Sequence, residues 1–279
     1  MEERIWTPNR RHLFRTGGAL LAGAGAVALL SACGGSGSGG GSGATTGGTG
    51  APASGGAKLG VNGMAITIGQ AKAAPTMTGV VDKTWKGVPA VNLDPSDPGV
   101  STNGATAQNP AFTSKVYLQW DSKNLYVLED RTQAPPFQAS GGDGQYYLGD
   151  TLMMFFDTDK DATGSNYIDG DYAFFITPFN GTTAAPRAWD REGHSSGGAN
   201  EHQVTDIKFG YKASANGYGF AVTMPWSEIQ VTAPWKVQKG ASMGFCVGGA
   251  SQTADGGWGQ LQFNGKADDQ STWGTLALA

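Results

Sequence analysis

Helical periodicity is almost missing from this sequence, and so are cysteine, histidine and any basic cluster beyond the first fifteen positions. Two cysteines, Cys33 and Cys246, cannot build the multi-bridge framework that staples small secreted folds. Nineteen Lys and Arg stand against 23 Asp and Glu, a net charge of −4. An acidic chain with no basic patch lacks the phosphate contacts that nucleic-acid binding needs, so that function is excluded. Glutamate is scarce too: after the first residues only Glu129, Glu192, Glu201 and Glu228 occur. Glycoside hydrolysis asks for two carboxylates facing each other across a cleft. The most apolar segments carry no glutamate, so no enzyme activity is expected. The longest weakly apolar stretch, Gly17 to Leu30, is too short and too glycine-rich to span a bilayer.

What is present at the start reads as a targeting segment. Arg4, Arg10, Arg11 and Arg15 make a basic opening, and the apolar stretch after it ends in Leu30-Ser31-Ala32-Cys33. That ending resembles the lipobox of bacterial lipoproteins, which implies cleavage before Cys33 and diacylation of its sulfur. The run Asn9 to Arg15 resembles a twin-arginine signal, the export route of folded proteins. Residues 1–32 are therefore expected to be a signal peptide, whose loss of four Arg and two Glu takes the net charge to −6. Residues 33–60 are almost wholly Gly, Ser, Thr and Ala and cannot bury apolar surface to offset their ordering entropy, so they are expected to form a flexible tether. The expected location is the bacterial cell envelope, outside the cytoplasm, with membrane contact through the lipid anchor only.

Residues 61–279 are one domain's worth of chain. Short apolar or alternating runs are separated by Gly, Asn, Asp and Pro. Lys115 to Trp120 and Leu125 to Glu129 flank Asp121-Ser122-Lys123-Asn124, a hairpin signal. Ile207 to Lys212 and Gly219 to Met224 flank a second one. Thr151 to Phe156 and Tyr172 to Ile176 are nearly continuous apolar runs, as in central strands covered on both faces. Met243 to Gly248, Trp258 to Phe263 and Thr275 to Leu278 complete the set. Many short strands at regular turn spacing predict an all-β fold, an antiparallel β-sandwich of jelly-roll type. Pro225 to Ile229 is the one helical turn expected, with proline at its start. Pro178 to Val204 reads as a long polar loop, and Cys246 as a small buried hydrophobe.

Several of these segments together resemble the family 9 carbohydrate-binding modules and their DOMON-like relatives. Thr78-Gly79-Val80-Val81-Asp82 with Trp85 is similar to the opening of those modules. Lys115 to Asp121 with Asn124-Leu125-Tyr126-Val127 is similar to their "Trp-Asp, Leu-Tyr-Val" hairpin. Gly149-Asp150-Thr151 running to Phe155-Phe156-Asp157, then Met224-Pro225-Trp226, and Trp273 to Leu278 follow in the same order. The resemblance covers nearly all of residues 64–279 and implies an antiparallel β-sandwich. It also implies sugar binding between two aromatic platforms, since the C–H face of a pyranose stacks on an aromatic ring. Those positions fall at Tyr147 and Phe263. The polar groove positions of the family fall at Met153 and Phe175, which cannot hydrogen-bond a sugar hydroxyl. Trp85, Trp120, Trp226 and Trp273 match framework positions, leaving Trp189 and Trp258 as candidates for a further platform.

Asp157-Thr158-Asp159-Lys160-Asp161 places three carboxylates at alternate positions, with Gly164, Asp169 and Asp171 after them. Hard cations take several oxygens from one tight loop, so Asp157, Asp159 and Asp161 are candidate calcium ligands. Ile168 stands where an EF-hand has its bidentate glutamate, so the geometry is expected to differ; the alternative is a hairpin loop whose Asp side chains cap turns. Gly193-His194-Ser195-Ser196-Gly197 fits the nucleophile-elbow spacing but lacks the strand before it and the helix after it. Asp190, Glu192, His194, Glu201 and His202 gather in one segment, without a recognised metal-ligand spacing. No Met/His pair suited to the haem of DOMON-like relatives is evident. The expected function is a non-catalytic lipoprotein that binds polysaccharide or oligosaccharide through Tyr147, Phe263, Trp189 and Trp258. The alternative is a structural or protein-interaction sandwich, with an envelope protein partner, that kept the fold and lost the sugar.

Overall fold

The computed structural model describes residues 65–97, 99–103, 112–134, 148–180, 183–194, 199–252 and 258–279. The signal segment and the tether expected before residue 61 lie outside them. Two sheets pack face to face. The smaller has the order β10 (Lys208–Ser214), β11 (Gly217–Pro225), β5 (Asn124–Gln133), β4 (Phe112–Trp120) and β2 (Ala90–Leu93), antiparallel throughout. The larger has nine strands. Its path runs β1 (Ala65–Ile68), β14 (Gly274–Leu278), β12 (Ser242–Gln252), β6 (Thr151–Asp157), β7 (Asp171–Asn180), β8 (Thr183–Gly193) and β9 (Ala199–Val204). The second half of β12 also pairs with β13 (Trp258–Phe263), and β13 with β3 (Val100–Asn103). All pairs in it are antiparallel except β1 with β14. This is the expected all-β sandwich.

The period-two pattern explains which face each residue takes. From β6, Leu152, Met154 and Phe156 point between the sheets and join Phe174, Phe245, Val247, Val127, Phe220 and Trp120 in the main core. Met153 and Phe155 point the other way, into a second cluster with Phe175, Cys246, Tyr167 and Trp273. All seven residues of β6 are buried, so an alternating polar face is impossible there. Phe155 meets the Phe175 ring edge-on at 6.0 Å and lies 5.6 Å from Trp273. Cys246 is fully buried, as expected.

The outer face of the smaller sheet is covered as well. Trp85, Tyr126, Leu128 and Ala221 form a third cluster with Met77 and Ala71, and the 71–86 segment lies directly on β10 and β11. A Cβ on Gly219 would overlap the Gly79 carbonyl, and one on Gly210 would overlap that of Met77. Glycine is needed at both because backbone meets backbone. The β4–β5 hairpin turns on Asp121, whose Oδ1 accepts the amides of Lys123 and Asn124 while Oδ2 accepts the Tyr126 hydroxyl at 2.7 Å. Trp226 opens a 3-10 turn (Trp226–Ile229) and donates its indole N–H to the Asp121 carbonyl at 2.8 Å. Trp85, Trp120, Trp226 and Trp273 are all buried, as framework residues should be.

The long loop expected from the sequence is instead a hairpin. Pro178 to Val204 is not a loop: most of it forms β8 and β9. Its polarity misled, because these strands sit at the sheet's margin, where β9 is an edge strand and five of its six side chains are exposed. Edge strands carry polar side chains that blunt unwanted pairing, so polarity there does not mean irregular structure.

Charge lies inside the sandwich too. Arg131, 2 % exposed, stacks on Phe112 at 4.1 Å, pairs with Glu129 at 2.8 Å and donates to the carbonyls of Ala250 and Thr151 at 2.7 and 3.0 Å. Gln133 donates to Asp150, and Ser114 to Glu129. Burial pushes the Glu129 carboxyl upward, and the guanidinium beside it opposes that shift. The bonds from β5 to β6 and β12 tie the two sheets through a group that must not lose its partners. Replacing one member of such a buried pair costs roughly 3–5 kcal/mol, since the other charge stays unpaired. Arg131→Met is expected to lower the unfolding free energy by about that much, read from urea denaturation, with Arg131→Lys also destabilising because it cannot make the planar fork.

Candidate functional site

The outer face of the larger sheet is not uniform. Toward β14 it is sealed: Tyr167 and Trp273 lie over Phe155, and Arg191 stacks on Tyr167 and Phe175 at 5.6 and 5.8 Å. Arg191 is held by Glu201 and Asp268, each at 2.9 Å. Met153 and Phe175 belong to this sealed patch, which accounts for their apolar character.

Toward the other end the same face turns polar. The register puts Arg187, Thr177, Thr151, Gln260 and Trp258 on it, alternating with core residues on every strand, while Trp189 stands at its border, packed against the sealed cluster beside its strand partner Phe175. Trp189 and Trp258 are half-buried. Gln262 donates to Gln260 at 2.5 Å and accepts the Ala267 amide at 2.7 Å. Thr177 Oγ1 and Arg187 Nε, on paired residues of β7 and β8, are sealed from water and make no hydrogen bond. Unsatisfied buried polar groups are uncommon and mark places where a polar partner is missing. Counting strand spacings from β8 to β13, Trp189 and Trp258 stand roughly 20 Å apart. They cannot grip one ring between them; they bracket a strip.

Phe263, expected as a platform, is not on this strip. It pairs with Val247 and faces inward, 1 % exposed, among the residues of the main core. The alternation along β13 decides this: Gln260 and Gln262 take the outer face, so Phe263, one residue on, must take the inner. Tyr147 lies outside the described residues, as does Ser195.

The acidic loop has built geometry. Asp157, Asp159, Asp161 and Asp171 each bring a carboxylate oxygen within 4.8 Å of the others. Asp171 was not among the ligands read from the sequence; it joins because it pairs with Asp157 across β6 and β7. Lys160 and Ala162 take positive φ of 61° and 53°, and this tight path lets their amides donate to the two Asp157 oxygens. Asp171 is fully buried; its Oδ2 accepts the Ile168 amide at 2.8 Å, and its Oδ1 has no partner. Burial pushes Asp171 up to about 7, and burial together with Asp159 pushes Asp157 up to about 6. Four clustered carboxylates repel one another, and an oxygen-only set of this spread suits a hard cation with ligands at about 2.3–2.6 Å.

A polar cleft of about 580 Å³ opens on the outer face of the smaller sheet, lined by Asn92, Asp94, Lys115 and Asp130 among others. Among the described residues no aromatic lines it.

The model of the carbohydrate family 9 binding domain-like family matches residues 77–279. The chain belongs to that family. No curated protein matches it in sequence. Its fold is similar to a family 9 carbohydrate-binding module from Caldicellulosiruptor kristjanssonii solved with cellotriose, at 18 % identity, TM-score 0.51, covering 77 % of this chain and 93 % of that one. The complex of a family 9 module from the same organism with glucose gives 19 %, 0.52, 77 % and 95 %. A candidate carbohydrate-binding protein from Bacteroides uniformis is similar at 12 % identity and TM-score 0.52, covering 78 % of this chain and all of the other. Family 9 is a family of carbohydrate-binding modules without catalytic function, and this member keeps the family fold while burying Phe263. As a core aromatic, Phe263→Ala should cost roughly 3–5 kcal/mol, measured as a fall in the denaturation midpoint; a stable variant would return Phe263 to the surface.

Proposed function

We propose that this protein is a non-catalytic carbohydrate-binding lipoprotein of the bacterial envelope, lipidated at Cys33, that holds a glycan on the polar strip between Trp189 and Trp258. The observation behind this reading is that two half-buried tryptophans share one sheet face with the half-buried Arg187, whose Nε makes no hydrogen bond. Aromatic faces take the apolar side of a sugar, while hydroxyl and guanidinium donors fix its oxygens. Tyr147, in the sequence just before β6, is the third aromatic in this reading. The family's solved modules hold cellotriose and glucose, so cello-oligosaccharides are the first ligands to try. An extended strip rather than a slot for one ring favours an oligosaccharide over a monosaccharide.

The test is calorimetry of the Cys33→Ser chain with cello-oligosaccharides, then with a broad polysaccharide panel. Loss of a stacking aromatic from such a site costs on the order of 1–3 kcal/mol, about ten- to a hundred-fold in affinity. Trp189→Ala and Trp258→Ala are each expected to show that loss with the fold intact. Wild-type affinity in both variants would remove the strip as the site, and silence across the panel would turn the search toward an envelope protein partner, the reading the sealed Met153–Phe175 patch favours.

The acidic cluster is read as a structural calcium site formed by Asp157, Asp159, Asp161 and Asp171. Calcium at a hundred-fold excess over its dissociation constant adds about 2.7 kcal/mol, which for a domain of this size raises Tm by about 5–10 °C. Asp171→Asn keeps the Ile168 hydrogen bond but removes the anionic ligand, so it should abolish that rise; a rise of equal size in the variant would count against the site.

A further inference from the structure

At the far margin of the larger sheet, two acidic residues and a histidine converge on the face that points between the sheets. Asp190 and Glu192 alternate along β8, and His202 of β9 is the strand partner of Asp190. His202 Nδ1 lies 3.0 Å from Asp190 Oδ1, and His202 Nε2 lies 3.9 Å from Glu192 Oε1. One donor atom from each residue falls within 4.8 Å of the other two. Asp190 is 1 % exposed, and neither of its carboxylate oxygens makes a hydrogen bond. Glu192 is buried and His202 is half open to solvent, so the cluster has a floor and an entrance.

The surroundings do not neutralise it. Glu228, from the 3-10 turn, acts electrostatically on both acids, with Asp206 beyond it. The charged groups facing Asp190 are therefore Glu192 and Glu228 against one imidazole. The two carboxylates meet only one imidazole, which makes no hydrogen bond to Asp190.

We propose that Asp190, Glu192 and His202 form a second metal site, distinct in chemistry from the all-oxygen cluster, that takes a divalent transition ion such as zinc. Nitrogen and carboxylate oxygen together are the ligand set that zinc accepts and calcium avoids. Ligands of one zinc ion at about 2.0–2.2 Å lie roughly 3–4 Å from one another, a spacing that a small rotation of Glu192 meets. One imidazole nitrogen and one oxygen from each carboxylate make up the ligand set. Binding to β8 and β9 at once would hold the exposed edge strand to the sheet. The site does not depend on where the glycan binds.

The test is titration of zinc chloride into the full chain carrying Cys33→Ser, which removes a competing thiol, with calcium present throughout. One equivalent of zinc is expected to bind. His202→Ala, a half-exposed position whose loss spares the core, should weaken binding at least ten-fold. His194→Ala, just past the end of β8, should leave it unchanged, and so should Asp171→Asn in the other cluster. Asp190→Asn should weaken it as His202→Ala does, with unchanged circular dichroism confirming the fold. Zinc affinity equal in the His202→Ala and parent chains, loss in His194→Ala instead, or no zinc binding at all would each overturn the site.

Discussion

The larger sheet is buried on both faces at its centre, and most of what is particular to this protein follows from that constraint. Residues of β6 have no solvent side. Opposite the smaller sheet, the chain must supply a cover of its own, and it does so with two segments. One is the excursion between β6 and β7, which brings Tyr167; the other is the run from Asn264 to Trp273 before the last strand. Trp273 donates its indole N–H to the Lys266 carbonyl, Tyr167 donates to Asp268, and Thr163 bonds Gln270, so the two segments hold each other as well as the sheet. Full burial of an aromatic or aliphatic side chain contributes about 1.5–3 kcal/mol; Phe155, Met153 and Phe175 would forfeit that contribution without the cover.

That cover has a cost at its hinge. The β6–β7 excursion leaves and re-enters the sheet at Asp157 and Asp171, which are strand partners. Acidic side chains are well suited to capping the backbone amides of a tight path, and Asp157 and Asp171 both do so. Yet closing the excursion draws Asp159 and Asp161 onto the same point. The residues that fold the cover down are thus the residues whose charges repel, and a cation there would act as a clasp on the cover rather than as an accessory. The sealed patch also sets where a ligand can lie. It occupies the half of the outer face where Met153 and Phe175 stand, so polar recognition is displaced toward β13 and the open ends of β7 and β8.

Much of this was legible in the sequence, and what was missed has physical causes. Strand runs such as Thr151 to Phe156 and hairpins such as Lys115 to Glu129 carry local signals, since alternation and turn chemistry act over a few residues. Trp85, Trp120, Trp226 and Trp273 were identified as framework, and all four are buried. Phe263 went wrong by a single residue of register. A strand flanked by glutamines reads the same in either phase until its partner is known, and here Val247 fixes the phase. β8 and β9 were read as loop because an edge hairpin, polar on its exposed side, has the composition of a loop. Asp171 and the Thr177–Arg187 pair depend on cross-strand pairing that no local window contains.

The same edge effect explains why the charges gather where they do. At the centre of the larger sheet a carboxylate would have no water and no room for a counterion; at the ends of β6 and β7, and on the last two strands, it can reach one. Buried acids are tolerated in this fold only in company: Glu129 and Asp150 have Arg131, whose fork also holds two backbone carbonyls between the sheets. Among the described residues neither Asp171 nor Asp190 pairs with an arginine or lysine; Asp190 has only His202 at 3.0 Å, and each keeps an oxygen without a hydrogen bond, as Glu129 does. The burial of an unpaired carboxylate is penalised by several kcal/mol unless it is protonated or meets a cation. Asp171 of β7 and Asp190 of β8 lie on neighbouring strands but on opposite faces of the sheet, each with further acids beside it, and a cation at each would offset that repulsion.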